Sequence, residues 1–405
     1  MRGSRSLEED FEPFGRIRRR SDIRGGRSLN VAVPKESAPG ECRVAVTPDI
    51  AGKLVKSGLQ VTVETGAGNA AGFLDVAYRS VGASIAPDAG ALYSGGDFVL
   101  KVQRPNAAEI TALRSGCALI AFLQPLVYPA DAAALAKQGV TSFSMDAIPR
   151  ISRAQGMDAL SSQSTVAGYK AVLFAADALP KFFPMLMTAA GTIPPARALV
   201  LGAGVAGLQA IATARRLGAV VTGFDARAAT KEQVESLGAS FISPPIAAEG
   251  AGGYARELTP EEQATNREAL GKAVAESDVV ITTALVPGRK APLLITDAMV
   301  KAMRPGSVVV DLAAEAGGNC ECTKPGESIV VHDVHVIGPF NVPSSMPQHA
   351  SQLYAKNVNA LFVHLVKDGS LNLDMADEIT KGVCITRDGA IVNEAVAKLA
   401  TGGVA

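Results

Sequence analysis

The stretch from Leu199 to Asp225 reads LVLGAGVAGLQAIATARRLGAVVTGFD. An apolar run, Leu199 to Leu201, delivers Gly202, Ala203, Gly204, Val205, Ala206 and Gly207, and a helical pattern follows at once. A G-x-G-x-x-G pattern is informative in this strand–turn–helix setting. Its first glycine permits the tight turn, its second lets a pyrophosphate approach the backbone, and its third lets the helix pack closely on the strand. The new helix N-terminus then offers unpaired N–H groups and a positive dipole end to the phosphates. A second apolar run, Val220 to Phe224, ends in Asp225, 18 residues after Gly207. A carboxylate there accepts both hydroxyls of an adenosine ribose and repels a 2′-phosphate, which favours NAD over NADP. Arg227, two residues on, tempers that preference.

At roughly 100–200 residues per domain, a chain of 405 residues implies two domains or three. An apolar fraction of 48% is ample for large cores. Lys+Arg and Asp+Glu balance at 39 each, so nothing in the overall charge draws nucleic acid or an anionic membrane. No apolar run approaches the roughly 20 residues of a membrane span, so any membrane association is expected to run through a partner. The five cysteines (Cys42, Cys117, Cys320, Cys322, Cys384) are scattered and odd in number, which fits a reducing compartment. Cys320-x-Cys322 lacks a second cysteine pair or a suitably spaced histidine, and we read these as ordinary thiols with no metal. The first 28 residues carry eight arginines and five acids but no apolar central segment. They are expected to be a disordered tail, or to follow a start codon assigned too early, rather than a targeting signal.

Folded structure is expected from Leu29. Short apolar strands at Leu29 onward, Leu59–Glu64, Asp97–Val102 and Ala118–Leu123 alternate with helical stretches. Such alternation implies a parallel sheet with helices on both faces. Gly66-x-Gly68 lacks an acid-terminated second strand and reads as a turn. A second alternating series starts at Arg197 and runs through Ala239–Ile242, Asp278–Thr283, Ser307–Leu312 and Val334–Gly338. Between them, Pro244 to Glu257 is rich in Gly, Ala and Pro, the composition of a mobile loop, with Tyr254 as its one aromatic. Helical stretches at Ser164–Met187 and Gln348–Val366 are expected to connect the two domains. A cofactor then lies in the cleft between them, at the carboxyl ends of the strands.

The remaining chemistry concentrates at Arg150-Ile-Ser-Arg153-Ala-Gln155-Gly-Met-Asp158-Ala-Leu-Ser161, a polar run at the domain boundary. The four histidines all lie in the last quarter of the chain. Hydride transfer between two nicotinamides needs no general acid or base, because no alcohol, amine or carbonyl changes protonation. It needs the donor and acceptor carbons held roughly 3–3.5 Å apart. Amide, guanidinium and hydroxyl groups suit that task. A dehydrogenase of amino or hydroxy acids instead needs a His or Lys to move a proton.

PRISRAQGMDALSSQSTVAGYKAV, MTAAGTIPPARALVLGAGVAGLQAIATARRLGA, RAATKEQVESLGA and DLAAEAGGNC resemble the NAD(H)-binding component of proton-translocating NAD(P) transhydrogenase. So do VPKE, RVAVTP, KVQRP, FLQPL, TTALVPG and TRDGAIV, and together they run from about Leu29 to Ala397. The family is related in fold to alanine dehydrogenase, which carries a catalytic His in a YLHL-type segment where this chain has Gln124, and DQGG where it reads Glu315-Ala-Gly-Gly. The resemblance implies that Arg150, Gln155, Asp158 and Ser161 bind and orient the nicotinamide end, with Gln155 also facing the partner's nucleotide. It implies that Gly202 to Gly207 cradle the pyrophosphate, with Asp225, Ala226 and Arg227 at the adenosine ribose. It places Tyr254 on the loop that closes over the nucleotide, and Thr283, Ala284 and Leu285 of TTALVPG in the cofactor site.

The expected architecture is α/β, with two Rossmann-like doubly wound parallel-sheet domains and a cleft between them. One domain is discontinuous, 29–163 with 345–405, and residues 164–344 form the NAD(H)-binding domain. The resemblance implies a subunit that passes hydride from NADH to NADP+ on a partner, coupled to proton translocation. It also implies a homodimer working with a membrane-domain subunit and an NADP(H)-binding beta subunit as separate polypeptides. The chain is then cytoplasmic, peripheral to the inner membrane through its partners. Two alternatives stand beside it: an alanine-dehydrogenase-like enzyme, and a non-catalytic NAD-binding module.

Overall fold

The computed structural model describes residues 28–248, 250, 256, 258–285 and 290–401. The expectations for residues 1–27 and for Tyr254 therefore lie outside the described residues.

Six strands come first: β1 (Asn30–Val33), β2 (Gln60–Glu64), β3 (Ser84–Ala86), β4 (Phe98–Leu100), β5 (Ala118–Ala121) and β6 (Thr141–Ser144). A hairpin follows, β7 (Leu186–Thr188) with β8 (Gly191–Ile193). The second series is β9 (Arg197–Leu201), β10 (Val220–Phe224), β11 (Ser240–Ile242), β12 (Val279–Thr282), β13 (Val308–Asp311), β14 (Ser328–Val331) and β15 (Val334–Ile337). Two short pairs close the chain, β16 (Val366–Lys367) with β17 (Ser370–Leu371), and β18 (Cys384–Arg387) with β19 (Ala390–Ile391).

The strands gather into two large sheets, ordered β19-β18-β6-β5-β4-β1-β2-β3 and β11-β10-β9-β12-β13-β15-β14. In each, the chain winds outward from a central strand, then returns to that strand's other side and winds the opposite way. The reversals fall between β1 and β4 and between β9 and β12, which makes both sheets doubly wound. The central strands β1, β5, β12 and β13 are buried along their whole length. That is why they read as continuous apolar runs rather than alternating ones. Each sheet has its own pair of cores, one per face: Val31 and Val33 point to one side of the first sheet, Ala32 to the other. Leu199 and Leu201 likewise oppose Val200 in the second. The chain is thus a two-domain α/β protein.

Three outer strands depart from parallel pairing. β18 adds antiparallel to β6, β19 adds antiparallel to β18, and β14 adds antiparallel to β15. The β18–β19 and β14–β15 pairs each close through a tight two-residue turn with both residues left-handed, Asp388-Gly389 and His332-Asp333.

Two helices tie the domains together. The connector helix, Ala159–Ala178, starts five residues before the expected Ser164 because Asp158 caps it, accepting from the Ser161 N–H at 2.9 Å. It also ends nine residues before Met187. Leu179, which precedes Pro180, takes an extended conformation, as a residue before proline must, and β7 follows. Its Ala159 joins the core of the first domain while Ala171, Val172 and Ala175 join that of the second. The return helix, Pro347–Leu365, brings the chain back by burying Tyr354, Val358, Leu361 and Phe362 on the first sheet.

Candidate functional site

The carboxyl ends of β9, β10 and β12 are neighbours, with Leu201 beside Phe224 on one side and Thr282 on the other. The residues that follow these three strands therefore converge at the reversal of the second sheet. Gly202 takes φ +101, a conformation that a side chain would strain. A Cβ on Gly207 would lie 1.7 Å from the Gly202 carbonyl oxygen, so the helix Val205–Arg216 can start this close to its strand only through glycine. Gly204 is different. A Cβ there would meet nothing within 4 Å, and no side chain caps the helix that begins after it. The first N–H groups of an α-helix have no partner in a preceding turn, and here Val205 is 42% exposed. A glycine turn opening onto a helix N-terminus in this way forms a cradle that can receive an anionic group such as a phosphate.

Asp225 stands at the rim of the cradle and is buried. Its carboxylate accepts from the Ala203 N–H at 2.7 Å and from the Arg227 N–H at 2.8 Å. Arg227 folds back on it as well, Nε at 2.8 Å and Nη2 at 2.7 Å. The acid thus both tethers the glycine loop and neutralises the neighbouring cation. Ala226 holds the following loop through its carbonyl, which accepts from the Ala248 N–H at 2.7 Å. The base of that loop is gripped again where Asn266 exchanges two hydrogen bonds with the Ile246 backbone.

Opposite the glycine loop, Thr283 donates from Oγ1 to the Gly202 carbonyl at 3.1 Å. Ala284 is held by Asn319, which both donates to its carbonyl and accepts from its N–H. Asp311 fixes Asn319 in turn by accepting from its backbone N–H at 2.8 Å. Leu285 is 44% exposed at the open end of this segment. Asn319 and Asp311 hold the site together; both lie in the DLAAEAGGNC stretch, which by itself assigns neither of them a role.

The polar run lies at the start of the connector helix. Ser152–Met157 forms a 3-10 turn that carries Gln155, whose side chain is exposed, as is that of Arg150 before it. Asp158 and Ser161 cap the helix together, with Ser161 Oγ donating to Asp158 at 2.6 Å. The connector helix then runs along the glycine-loop helix. A Cβ on Gly168 would lie 2.1 Å from the Ala206 carbonyl oxygen, so the two helices touch backbone to backbone at the cradle. At 1.5 Å per residue, Asp158 lies about 15 Å along the helix from this contact, a separation that an extended ligand bridges. Nothing in the sequence marks Gly168, a single glycine within a helical pattern.

A buried polar network locks the domains beside the polar run. Arg43, from the first domain, donates to Glu41 at 2.6 Å, to Gln163 of the connector helix at 2.8 Å and to Asn341 of the second domain at 3.0 Å. Burial pulls the Glu41 carboxyl up, but hydrogen bonds and charge from Arg43, with Gln103 and Asn341, outweigh it and hold it down to about 2. Asn341 sits at φ +43 and its N–H reaches Glu315. A polar pocket of about 170 Å³ opens next to Glu41 and Arg43. Four of the five Arg43 guanidinium N–H donors are already engaged, two of them by Glu41.

Gln124 also has a left-handed backbone, φ +45, held by its N–H on the Asp146 carboxylate at 2.9 Å. Burial drives the Asp146 carboxyl up to about 6, against the pull of Ser144 and Gln124. Two of the four histidines are engaged elsewhere, His332 with Asp297 and His364 with Asp377. Among the described residues, no group of three or more His, Cys, Asp or Glu side chains could hold a metal ion.

Residues 32–167 match the family model for the alanine dehydrogenase/PNT N-terminal domain, and residues 171–394 match that for its C-terminal domain. An NAD(P) transhydrogenase subunit alpha chain of Rhodospirillum rubrum is 50% identical over 379 residues, spanning 91% of this chain and 99% of that protein. Alanine dehydrogenase of Bacillus subtilis is 31% identical, spanning 91% and 94%. The crystal structure of transhydrogenase from Sinorhizobium meliloti superposes with a TM-score of 0.80 at 43% identity, covering 90% of this chain and 99% of that one. The chain belongs to the alanine dehydrogenase/PNT family, and within it is more similar in sequence to these transhydrogenase proteins than to that dehydrogenase.

Proposed function

We propose that this family member is the NAD(H)-binding subunit of a proton-translocating NAD(P) transhydrogenase, passing hydride from NADH to NADP+ held by a partner beta subunit. The observation that carries the reading is the uncapped, unobstructed cradle at Gly204, joined by the connector helix to the polar turn at Gln155. The similarity to proteins named as transhydrogenases supports it.

In this reading the N–H groups after Gly204 bind the pyrophosphate, and Gly202 and Gly207 let the backbone come close enough to do so. Asp225 accepts the ribose hydroxyls, with Ala203, Ala226 and Arg227 shaping the rim. Val205, Ala206, Thr283, Ala284 and Leu285 wall the cleft, and Tyr254 closes over it. Arg150, Gln155, Asp158 and Ser161 orient the nicotinamide end, with Gln155 facing the partner's nucleotide. When bound, the dihydronicotinamide supplies the hydride. The chain's own task is positioning, so amides and hydroxyls suffice where an amino-acid dehydrogenase needs a proton carrier.

We assign residues 164–344 to the NAD(H)-binding domain and 29–163 with 345–405 to the other. The β7–β8 hairpin exposes Met187 (77%) and Ile193 (42%), which suits the contact of a homodimer. Among the described residues no helix is long and apolar enough to cross a membrane. In this reading the chain stands on the cytoplasmic side of the inner membrane, held there by its membrane-domain partner, with proton translocation in that partner. The test is NADH oxidation by the purified chain. It should require the partner subunits and NADP+, and fail with pyruvate and ammonia. Oxidation driven by pyruvate and ammonia alone would establish a dehydrogenase instead.

A further inference from the structure

The turn Ser152–Met157 that carries Gln155 is a 3-10 segment, a geometry with weak internal hydrogen bonds, and it ends in Gly156 and Met157. Something outside the turn must fix it. Arg153 reaches Asp377 at 2.6 Å, but its side chain is 58% exposed, and such a surface pair contributes about 0–1 kcal/mol. Ala154 and Met157 bury the turn's apolar side in the first core, and its polar backbone is held by Asn357, on the return helix and only 8% exposed. Its Nδ2 donates to the Gly156 carbonyl at 2.9 Å, and its Oδ1 accepts from Ser162 Oγ at 2.7 Å. A carbonyl oxygen can only accept, so the amide orientation is determined. One carboxamide thus grips the residue after Gln155 and the residue after Ser161.

The grip is continuous with the domain lock. Gln163 donates from Nε2 to Ser162 Oγ and to the Ala350 carbonyl, and accepts from Arg43 at 2.8 Å. We propose that Asn357 is a positioning residue, whose carboxamide pins the Gln155 turn against the first turn of the connector helix and so fixes where Gln155 meets the nucleotide. This rests on the reading of Gln155 given above. Asn357 lies on the first domain's core helix and holds the Gly156 carbonyl and the Ser162 hydroxyl, neither of them in the glycine loop, so its loss should leave the pyrophosphate cradle intact.

The test uses the complex reconstituted with its partner subunits and three readouts: single-turnover transfer from NADH to NADP+, the NADH dissociation constant, and the melting temperature. Asn357→Asp keeps the size and the Ser162 contact but sets a carboxylate oxygen against the Gly156 carbonyl. Since roughly 1 Å of misplacement can cost about a hundredfold, transfer should fall at least tenfold while NADH affinity stays within about threefold. Adding Asn357→Asp to Gln155→Asn should cost nothing further, because the two act through one group. Ser162→Ala, which removes the other anchor, should slow transfer in the same direction, and serves if Asn357→Asp does not fold. A parent rate in Asn357→Asp or, failing that, in Ser162→Ala, or an additive double variant, overturns the proposal while Gln155 stands. A parent rate in Gln155→Asn sinks the Gln155 reading and this proposal with it.

Discussion

Gly204 and Gly207 lie three residues apart in one loop, and the structure gives them opposite reasons for being glycine. A Cβ on Gly204 meets nothing within 4 Å, and its φ of −76° and ψ of −169° suit alanine. Gly204→Ala should therefore cost only the poorer helix cap, about 1 kcal/mol or less. It should nevertheless weaken NADH binding, because the new methyl occupies the space where a pyrophosphate must approach the N–H groups. Losing one charge-assisted hydrogen bond, worth roughly 1.5–3 kcal/mol, weakens binding by roughly 10- to 100-fold. Gly207→Ala is the contrast. Its Cβ would start 1.7 Å from the Gly202 oxygen and must reach at least 3.0 Å, so the helix itself has to move. That variant should lose several kcal/mol of stability as well as affinity. Isothermal titration with NADH beside chemical denaturation gives both quantities. If Gly204→Ala binds NADH like the parent, the cradle does not hold the pyrophosphate.

Three further outcomes follow from the same geometry. Asp225→Ala frees Arg227 from its 2.7 Å ion pair, and should narrow the preference for NADH over NADPH at least tenfold by calorimetry; an unchanged ratio would remove Asp225 from the ribose site. Glu41 has its carboxyl held at about 2 in the folded state, so it contributes stability above its ordinary value of 4.5 and loses it as pH falls toward 2. Glu41→Gln should accordingly cost on the order of 3 kcal/mol at pH 7, with the gap to the parent closing in acid, as read by denaturation at several pH values. Asp146 is the opposite case: burial raises it to about 6, so its ionisation destabilises the fold as pH rises from 4 through 6. Asp146→Asn should gain relative to the parent over that interval by on the order of 2 kcal/mol, and a pH-independent difference would exclude the effect.

The glycine loop and the strands around it were readable because their signals are local. β9, β12 and β13 are buried on both faces and so appear as apolar runs, and a turn forced to φ +101 demands Gly202. The hairpins divide instructively. Asp388-Gly389 is a residue pair that favours a left-handed turn, whereas His332-Asp333 adopts the same turn without that signature. The connector helix starts ahead of the expected Ser164 because Asp158 and Ser161 cap it, and its end depends on Pro180 and on a hairpin too short for periodicity to reveal. Least legible were the polar clamps. Glu41 meets Asn341 across 300 residues and Asn357 meets Gly156 across 201, and no spacing rule joins residues so far apart. Such contacts emerge only when the return helix and the connector helix pack.

In the proposed reaction, hydride leaves the nucleotide on this chain and arrives directly on the partner's nucleotide. NADH deuterated at the transferring position of its nicotinamide tests it in the reconstituted complex, with the NADPH product examined by mass spectrometry. The deuterium should appear in NADPH nearly quantitatively, with none released to water, and only when this chain is present. Label found in water, in alanine after addition of pyruvate and ammonia, or in NADPH formed without this chain would contradict it.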